Sequence, residues 1–315
     1  MGAQPLPIFH HVNAGAVAAL SAAIALLIVL TRMSMLARRN AKLDRLFFAL
    51  PSAVRAVLVK DVMPDAASRG ITYLSCRLPD VAQLEQQYRE NASQLVRLLD
   101  GILQSLLEAA LSTGGTVERF AAGGFSVCWG APLANENHAA HACAAAARML
   151  SVMQQHNRFP LSDGRNAPRA LSIAIGIASG PAISGVFGKT WSVAGECVSR
   201  AEELRMQCAT LGFSVIVDAA TQASTANGFA LLQIGAADNL QFALLGDQGM
   251  RVSPKYRALS TFHERIWAAL DARAYSDARE LILQAKKLSG ASAKFYDQLL
   301  ARISDTPNAA KQNVA

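Results

Sequence analysis

The sequence predicts an α+β domain set behind an N-terminal membrane span and followed by a helical tail. Three observations lead there. Val12–Leu30 is an apolar run without a charged residue. Between Ile71 and Val217 strand-like and helix-like patterns alternate. Past residue 260 the pattern is amphipathic helix, so strands and helices segregate as in an α+β sandwich.

The bulk numbers set limits first. A chain of 315 residues can bury one or two cores, and 52% hydrophobic residues is high for a protein without a membrane segment. A net charge of +7 would suit nucleic acid or acidic lipid. No basic stripe interleaved with aromatics, no zinc-finger spacing and no RNA-binding signature is present, which argues against nucleic acid as a partner. Cys76, Cys128, Cys143, Cys197 and Cys208 form no CxxC pair. They read as small buried hydrophobes in a reduced compartment, not as metal or redox groups.

From the N-terminus, residues 1–11 are a short extracytoplasmic end, where His10 and His11 read as exposed and not as a metal site. Residues 12–30 are the transmembrane helix. Its 19 residues cover about 28 Å at roughly 1.5 Å each, close to a hydrocarbon core. Arg32, Arg38, Arg39, Lys42 and Arg45 follow it and no Lys or Arg precedes it. The positive-inside rule then puts the bulk of the chain in the cytoplasm, as a single-pass protein of the inner or plasma membrane. A cleaved signal peptide is the competing reading; it would place the basic residues on the other side of the run. Residues 31–66 form a basic helical linker broken by Pro51, able to pair with its copy or to lie on acidic headgroups.

The domain spans 67–250. Ile71–Leu78 is a strand. Val81–Leu111 is a long helix, with Leu84, Tyr88, Leu95, Leu98, Leu99, Ile102 and Leu106 at three- and four-residue steps. Thr116–Phe120 and Phe125–Trp129 are short strands joined by the turn Ala121-Ala122-Gly123-Gly124. His138–Gln155 is an Ala-rich helix, Leu171–Ser179 a buried strand, Cys197–Leu211 a helix and Ser214–Val217 a strand. The glycines between Gly176 and Gly188 lack the Gly-Lys-Ser/Thr of a phosphate loop. Asn91-Ala92-Ser93 fits a glycosylation pattern but sits in a cytoplasmic helix.

Residues 260–304 are the helical extension, with Thr261–Asp271, Tyr275–Leu288 and Ala293–Ile303 as its helices, and it reads as a cap on the domain. Residues 305–315 read as a disordered tail.

Several stretches, in order, carry a family resemblance. They are LVRLLDGILQSLLEAALSTGGTVERF with its hairpin and GAP, HAAHACAAAARML, IAIGIASGPAISGVFG, WSVAGECVSRAEEL and VIVDAATQAS. Together they resemble the class III adenylate/guanylate cyclase catalytic domain, of the membrane-tethered bacterial type. The resemblance implies a ferredoxin-like cyclase-homology domain that pairs head to tail. It also implies a reaction in which two divalent cations, held by two aspartates, assist ring closure of a nucleoside triphosphate.

The resemblance places those groups one by one. The metal aspartate of the first strand falls at Arg77, and that of the hairpin turn at Gly123. The base-reading lysine falls at Arg119 and its acidic partner at Ser192. The transition-state asparagine falls at Ser199 and the arginine at Glu203. All six positions differ, and Arg77 and Glu203 reverse the sign of charge. Asp80 and Glu118 lie near enough in sequence to be weighed as replacement ligands, but read as solvated or helix-capping groups. Glu196 falls outside the metal shell.

The expectation is therefore a catalytically inactive cyclase-like protein that signals by homodimerisation, or by heterodimerisation with an unknown partner, through the cyclase-homology domain. It needs no cofactor; Mg2+ enters only if an atypical active cyclase survives. That active enzyme is one alternative. A non-catalytic nucleotide or ligand sensor, with Arg77 and Arg119 meeting phosphates, is the other.

Overall fold

A computed structural model of the chain describes residues 26–35, 66–158, 170–187, 190–225, 228–289 and 293–304. Of the first unit, Met1–Phe48, it describes one exposed apolar helix over 26–35. The Val12–Leu30 span lies outside the described residues except for 26–30. Among the described residues no helix is long and apolar enough to cross a membrane.

The second unit, Ala49–Ala315, holds the domain and the tail. In chain order its elements are β1 (Ala67–Arg77), α1 (Val81–Gln87), α2 (Ala92–Leu111), β2 (Thr116–Ala121), β3 (Gly124–Trp129) and α3 (His138–Arg158). Then come β4 (Ala174–Phe187), β5 (Thr190–Ala194), α4 (Glu196–Leu211), β6 (Val215–Asp218), α5 (Ala219–Ser224), β7 (Ala230–Gln233) and β8 (Gln241–Gly246). The last are α6 (Gln248–Arg251), α7 (Pro254–Asp271), α8 (Tyr275–Ser289) and α9 (Ala293–Ser304).

The strands form one sheet in the order β2-β3-β1-β4-β6-β8-β7, with β5 added to β4. β1 and β4 are its centre, antiparallel from Ala67↔Ser184 to Arg77↔Ala174. The period-2 geometry of β1 divides its side chains between two cores. Leu74 and Cys76 pack with Leu103, Leu106 and Leu107 of α2 and Met149 of α3. Ile71 and Tyr73 pack in the core that holds Ala201 and Leu204 of α4 and Trp267, Ile282, Phe295 and Tyr296 of the tail.

Several boundaries differ from the sequence reading. Val81–Leu111 is two helices, because Arg89-Glu90-Asn91 breaks the apolar stripe and Asn91 favours a helix start over a helix interior. β4 continues past Ser179 to Phe187 through Pro181. The proline is tolerated because the pairing of β4 with β6 has ended at Ile177 and its pairing with β5 begins at Ile183. β7 and β8 are too short and too uniformly apolar to stand out by alternation.

The tail is docked on the last edge of the sheet. Tyr256 Oη donates to Leu231 O (2.7 Å), and Trp267 Nε1 to Gln233 O (3.2 Å). These bonds, with one from His263, cover carbonyls of the edge strand β7 that would otherwise face water or another chain. All five cysteines are free and buried. Burial pushes the Cys76 thiol up to about 12 and the Cys208 thiol up to about 11, so neither is a thiolate.

Candidate functional site

The site begins at the C-terminal end of β1. Arg77 is there opposite Gly124 of β3 and Ala174 of β4. The hairpin turn closes over it, and Leu78 N donates to Gly123 O (2.9 Å). Gly124 is required for this approach: its φ is +157°, and a Cβ would lie 2.1 Å from Cys76 O. Gly123 sits above the guanidinium, where an added Cβ would be 3.6 Å from Arg77 Nη1. The two positions matched to metal aspartates thus meet in space, and they hold a guanidinium and a glycine.

α4 forms the opposite wall. It lies close on β4 because Gly176 has no side chain; a Cβ there would be 1.9 Å from Ala201 O. This contact brings Glu202 to the sheet, where it accepts from Ser75 Oγ. Arg205 grips the same carboxylate side-on, Nε to Oε2 at 3.1 Å and Nη2 to Oε1 at 2.6 Å. The Arg205 bonds, aided by Ser75 and the nearby charge of Arg77, hold the Glu202 carboxyl below the usual range. Sequence reading missed this pair. The signal was present in the spacing: Glu202 and Arg205 stand three residues apart in a helix, where opposite charges meet.

Between β1, the hairpin turn, α1 and α4 is a cavity of about 490 Å3, lined by Arg77, Val81, Glu85, Gly123, Arg205 and Met206 among others. The residues here do not fit a pair of divalent cations. Arg77 puts positive charge beside the hairpin turn, Glu202 is engaged by Arg205 and Ser75, and Glu85 is the one carboxylate on the lining. Asp80 is no replacement. Its carboxylate is tied to Ser172, accepting from N (2.7 Å) and Oγ (2.5 Å); Asp80 is the residue that precedes α1 at its N-cap, but its side chain makes no capping hydrogen bond.

A second cluster joins Arg119 and Ser192. A bulge in β2 between Val117 and Arg119 turns Glu118 inward, leaving its side chain 6% exposed. Its carboxylate accepts from Tyr73 Oη (2.8 Å) and from Ser192 Oγ (2.6 Å), tying β1, β2 and β5 together. Glu118 is therefore neither a solvated surface group nor a cap, as the sequence had suggested. Arg119 remains outside, 73% exposed, 3.9 Å from the same carboxylate. Burial, with the Glu118 charge beside it, pushes the Tyr73 hydroxyl well above its ordinary value.

Ser199 and Glu203 lie apart from both clusters, on the exposed face of α4. Glu203 pairs with Arg200 one turn back (3.2 Å), and Arg200 also donates to Asn239 Oδ1 (2.7 Å). Neither Ser199 nor Glu203 lines the Arg77 cavity.

No family model matches the sequence, and no curated protein matches it. Solved structures do match its fold. A bacterial light-regulated adenylyl cyclase superposes with a TM-score of 0.58 at 14% identity, over 70% of this chain and 65% of that one. The guanylyl cyclase Cya2 superposes with a TM-score of 0.50 at 19% identity, over 59% of this chain and 95% of that one. A dimeric guanylyl cyclase domain of the RhoGC fusion protein from the aquatic fungus Blastocladiella emersonii gives 0.49 at 17%, over 58% and 99%. At these identities the likeness is one of fold: the mixed sheet and its helices have the architecture of nucleotide-cyclase catalytic domains.

Proposed function

We propose that the chain is a catalytically inactive nucleotide-cyclase-like protein. It is held at a membrane by Val12–Leu30 with its domain in the cytoplasm, and it works in signalling through dimerisation or control of a partner. The observation that carries this reading is the pairing of Arg77 with Gly123. Where the fold of a working cyclase would bring two carboxylates together, this chain brings a guanidinium to a glycine. No Mg2+-dependent step can be derived from that donor set.

Association rather than turnover also suits the surface. Phe120, Ile183, Val186, Phe187 and Met206 are each 45–57% exposed, and large exposed apolar side chains are commoner at interfaces than on monomers. Glu203, on the exposed face of α4, carries negative charge to whatever that face meets.

The test is to incubate the purified full-length chain with ATP or GTP and either Mg2+ or Mn2+, and to measure cyclic nucleotide. No product above the protein-free blank is expected. Metal-dependent product that is lost on substitution of residues lining the Arg77 cavity would overturn the proposal. Mass photometry of the same sample in detergent is expected to show dimers.

A further inference from the structure

We infer that His138, Thr72, Ser179, Thr221 and Asp218 form a hydrogen-bonded relay whose direction is set by protonation of His138. An acid signal received at the start of α3 is thereby read at Asp218, the N-cap of α5. The relay does not depend on the state of the Arg77 cleft.

The members come from separate elements. His138 Nδ1 of α3 lies 2.6 Å from Thr72 Oγ1 of β1. Thr72 Oγ1 is 2.6 Å from Ser179 Oγ of β4, and Ser179 Oγ is 2.7 Å from Thr221 Oγ1 of α5. Thr221 closes on Asp218 at the end of β6. Its amide donates to Asp218 Oδ1 (2.8 Å), and its hydroxyl also bonds the carboxyl. Thr72 and Thr221 are fully buried, out of reach of bulk solvent.

The direction follows from counting protons. A hydroxyl has one proton to give, so a buried hydroxyl between two partners donates to one and accepts from the other. Three in a row have two concerted arrangements. In one, His138 Nδ1 donates to Thr72, and each hydroxyl donates onward until Thr221 gives its proton to Asp218. In the other, Thr221 donates back to Ser179, Ser179 to Thr72, and Thr72 to a bare Nδ1. A neutral imidazole suits either, since one ring nitrogen donates and the other accepts. An imidazolium donates from both nitrogens and permits only the first. One proton on His138 thus turns every bond toward Asp218, and bonds turned together strengthen one another. Ionised Asp218 in turn favours the proton on His138, because coupling between two sites is reciprocal.

The surroundings suit a coupled pair. His138 is half-buried, at the outer end of the chain of bonds, and burial lowers its pKa, while burial raises that of Asp218. The charged and titratable groups around His138 are Arg69 of β1, Glu136 in the preceding loop and His141 of α3. Arg69 Nη1 donates to Pro132 O (3.1 Å), and His141 Nδ1 lies 2.9 Å from Asn135 Nδ2, so that loop holds both. Those around Asp218 are Arg200 and Cys197 of α4 and Cys143 of α3. Burial keeps both thiols protonated, which leaves Arg200 as the one charge among them.

The test is NMR of the full-length chain in detergent, labelled with 15N in its six histidines. His138→Gln identifies the His138 signals by their loss, and the ring nitrogens report tautomer and charge as the pH is lowered. Asp218→Asn is expected to lower the proton affinity of His138 about threefold. Ser179→Ala cuts the chain midway and leaves both ends in place. In that background Asp218→Asn is expected to leave His138 unchanged. Thr221→Val cuts at a second point, keeps the side-chain shape and the amide bond to Asp218, and is expected to act in the same way. Ser224→Ala, whose exposed hydroxyl bonds within α5, is expected to leave His138 and its response to Asp218→Asn as in the wild type. The buried His263 shows in the same spectra that each variant is folded. An Asp218→Asn effect of equal size in the cut and uncut chains is a field effect and overturns the relay. No effect of Asp218→Asn in the uncut chain overturns it as well.

Discussion

His263 Nε2 accepts a hydrogen bond from Tyr296 Oη across 2.8 Å, deep in the helical tail. The direction follows from the other ring nitrogen. Nδ1 lies 2.7 Å from Gln233 O, and a carbonyl can only accept, so Nδ1 carries the proton and Nε2 does not. The imidazole is stacked on Phe295, 2% exposed, and neutral. Burial lowers its pKa from 6.5 to about 4.

That neutrality predicts acid sensitivity. The folded pKa lies below the unfolded one, so the stabilisation is complete above pH 6.5 and is lost as pH falls towards 4. The loss amounts to about 3 kcal/mol, at about 1.4 kcal/mol per unit. Thermal melts between pH 7.5 and 4 are expected to show His263→Gln losing less stability than the wild type across this window. Parallel curves would refute the assignment.

Glu118 predicts a coupled clamp. Glu118→Ala leaves Tyr73 and Ser192 without their acceptor and is expected to cost about 2 kcal/mol in urea unfolding. Ser192→Ala is expected to cost less, and the double variant less than the sum of the two. Strict additivity would mean that the three groups do not act together.

The cleft predicts a non-additive pair of substitutions. Gly123→Asp alone places a carboxylate beside Arg77 and is expected to form an ion pair with it instead of binding metal. Arg77→Asp alone supplies a single carboxylate. Arg77→Asp with Gly123→Asp is expected to bind Mn2+, read by the loss of its free EPR signal, where neither single variant does. Mn2+ bound equally by Gly123→Asp alone would show that the guanidinium does not exclude the ion.

Gly176 predicts a packing failure. A methyl group there meets Ala201 O and Arg205 N, both backbone atoms that cannot swing aside. Gly176→Ala is expected to lower stability by about 3 kcal/mol and to release Arg205 from its fixed position, measured by denaturant unfolding and by limited proteolysis of α4.

Much of this fold was legible in the residues, and the exceptions have physical causes. The strands around Leu74 and Val127 and the helices around Leu106 and Met149 announced themselves by period, since each buries one face. The start of α7 at Pro254 was also written in the chain. Ser253 caps Tyr256 N and Pro254 fills the first turn, yet the reading began at Thr261, seven residues late. β5, β7 and β8 were not legible, because short strands gain their identity from neighbours and not from their own pattern. Within the site, Arg77 and Gly123 could be placed by resemblance and do meet. The inward turn of Glu118 depends on a bulge, and the Glu202–Arg205 grip on a close helix–strand approach. Neither follows from residue type alone.

The tail and the domain draw on one apolar interior: Phe213, Ile216 and Ala243 share it with Ile266, Phe295 and Tyr296. A break in the gene near codon 250 would therefore not yield two independent parts. The shorter product would carry an open greasy wound along the β7 side of the sheet and clump. Any event that loosens these helices, such as proteolysis, acid or a competing partner, would be felt at once by the strands beneath them.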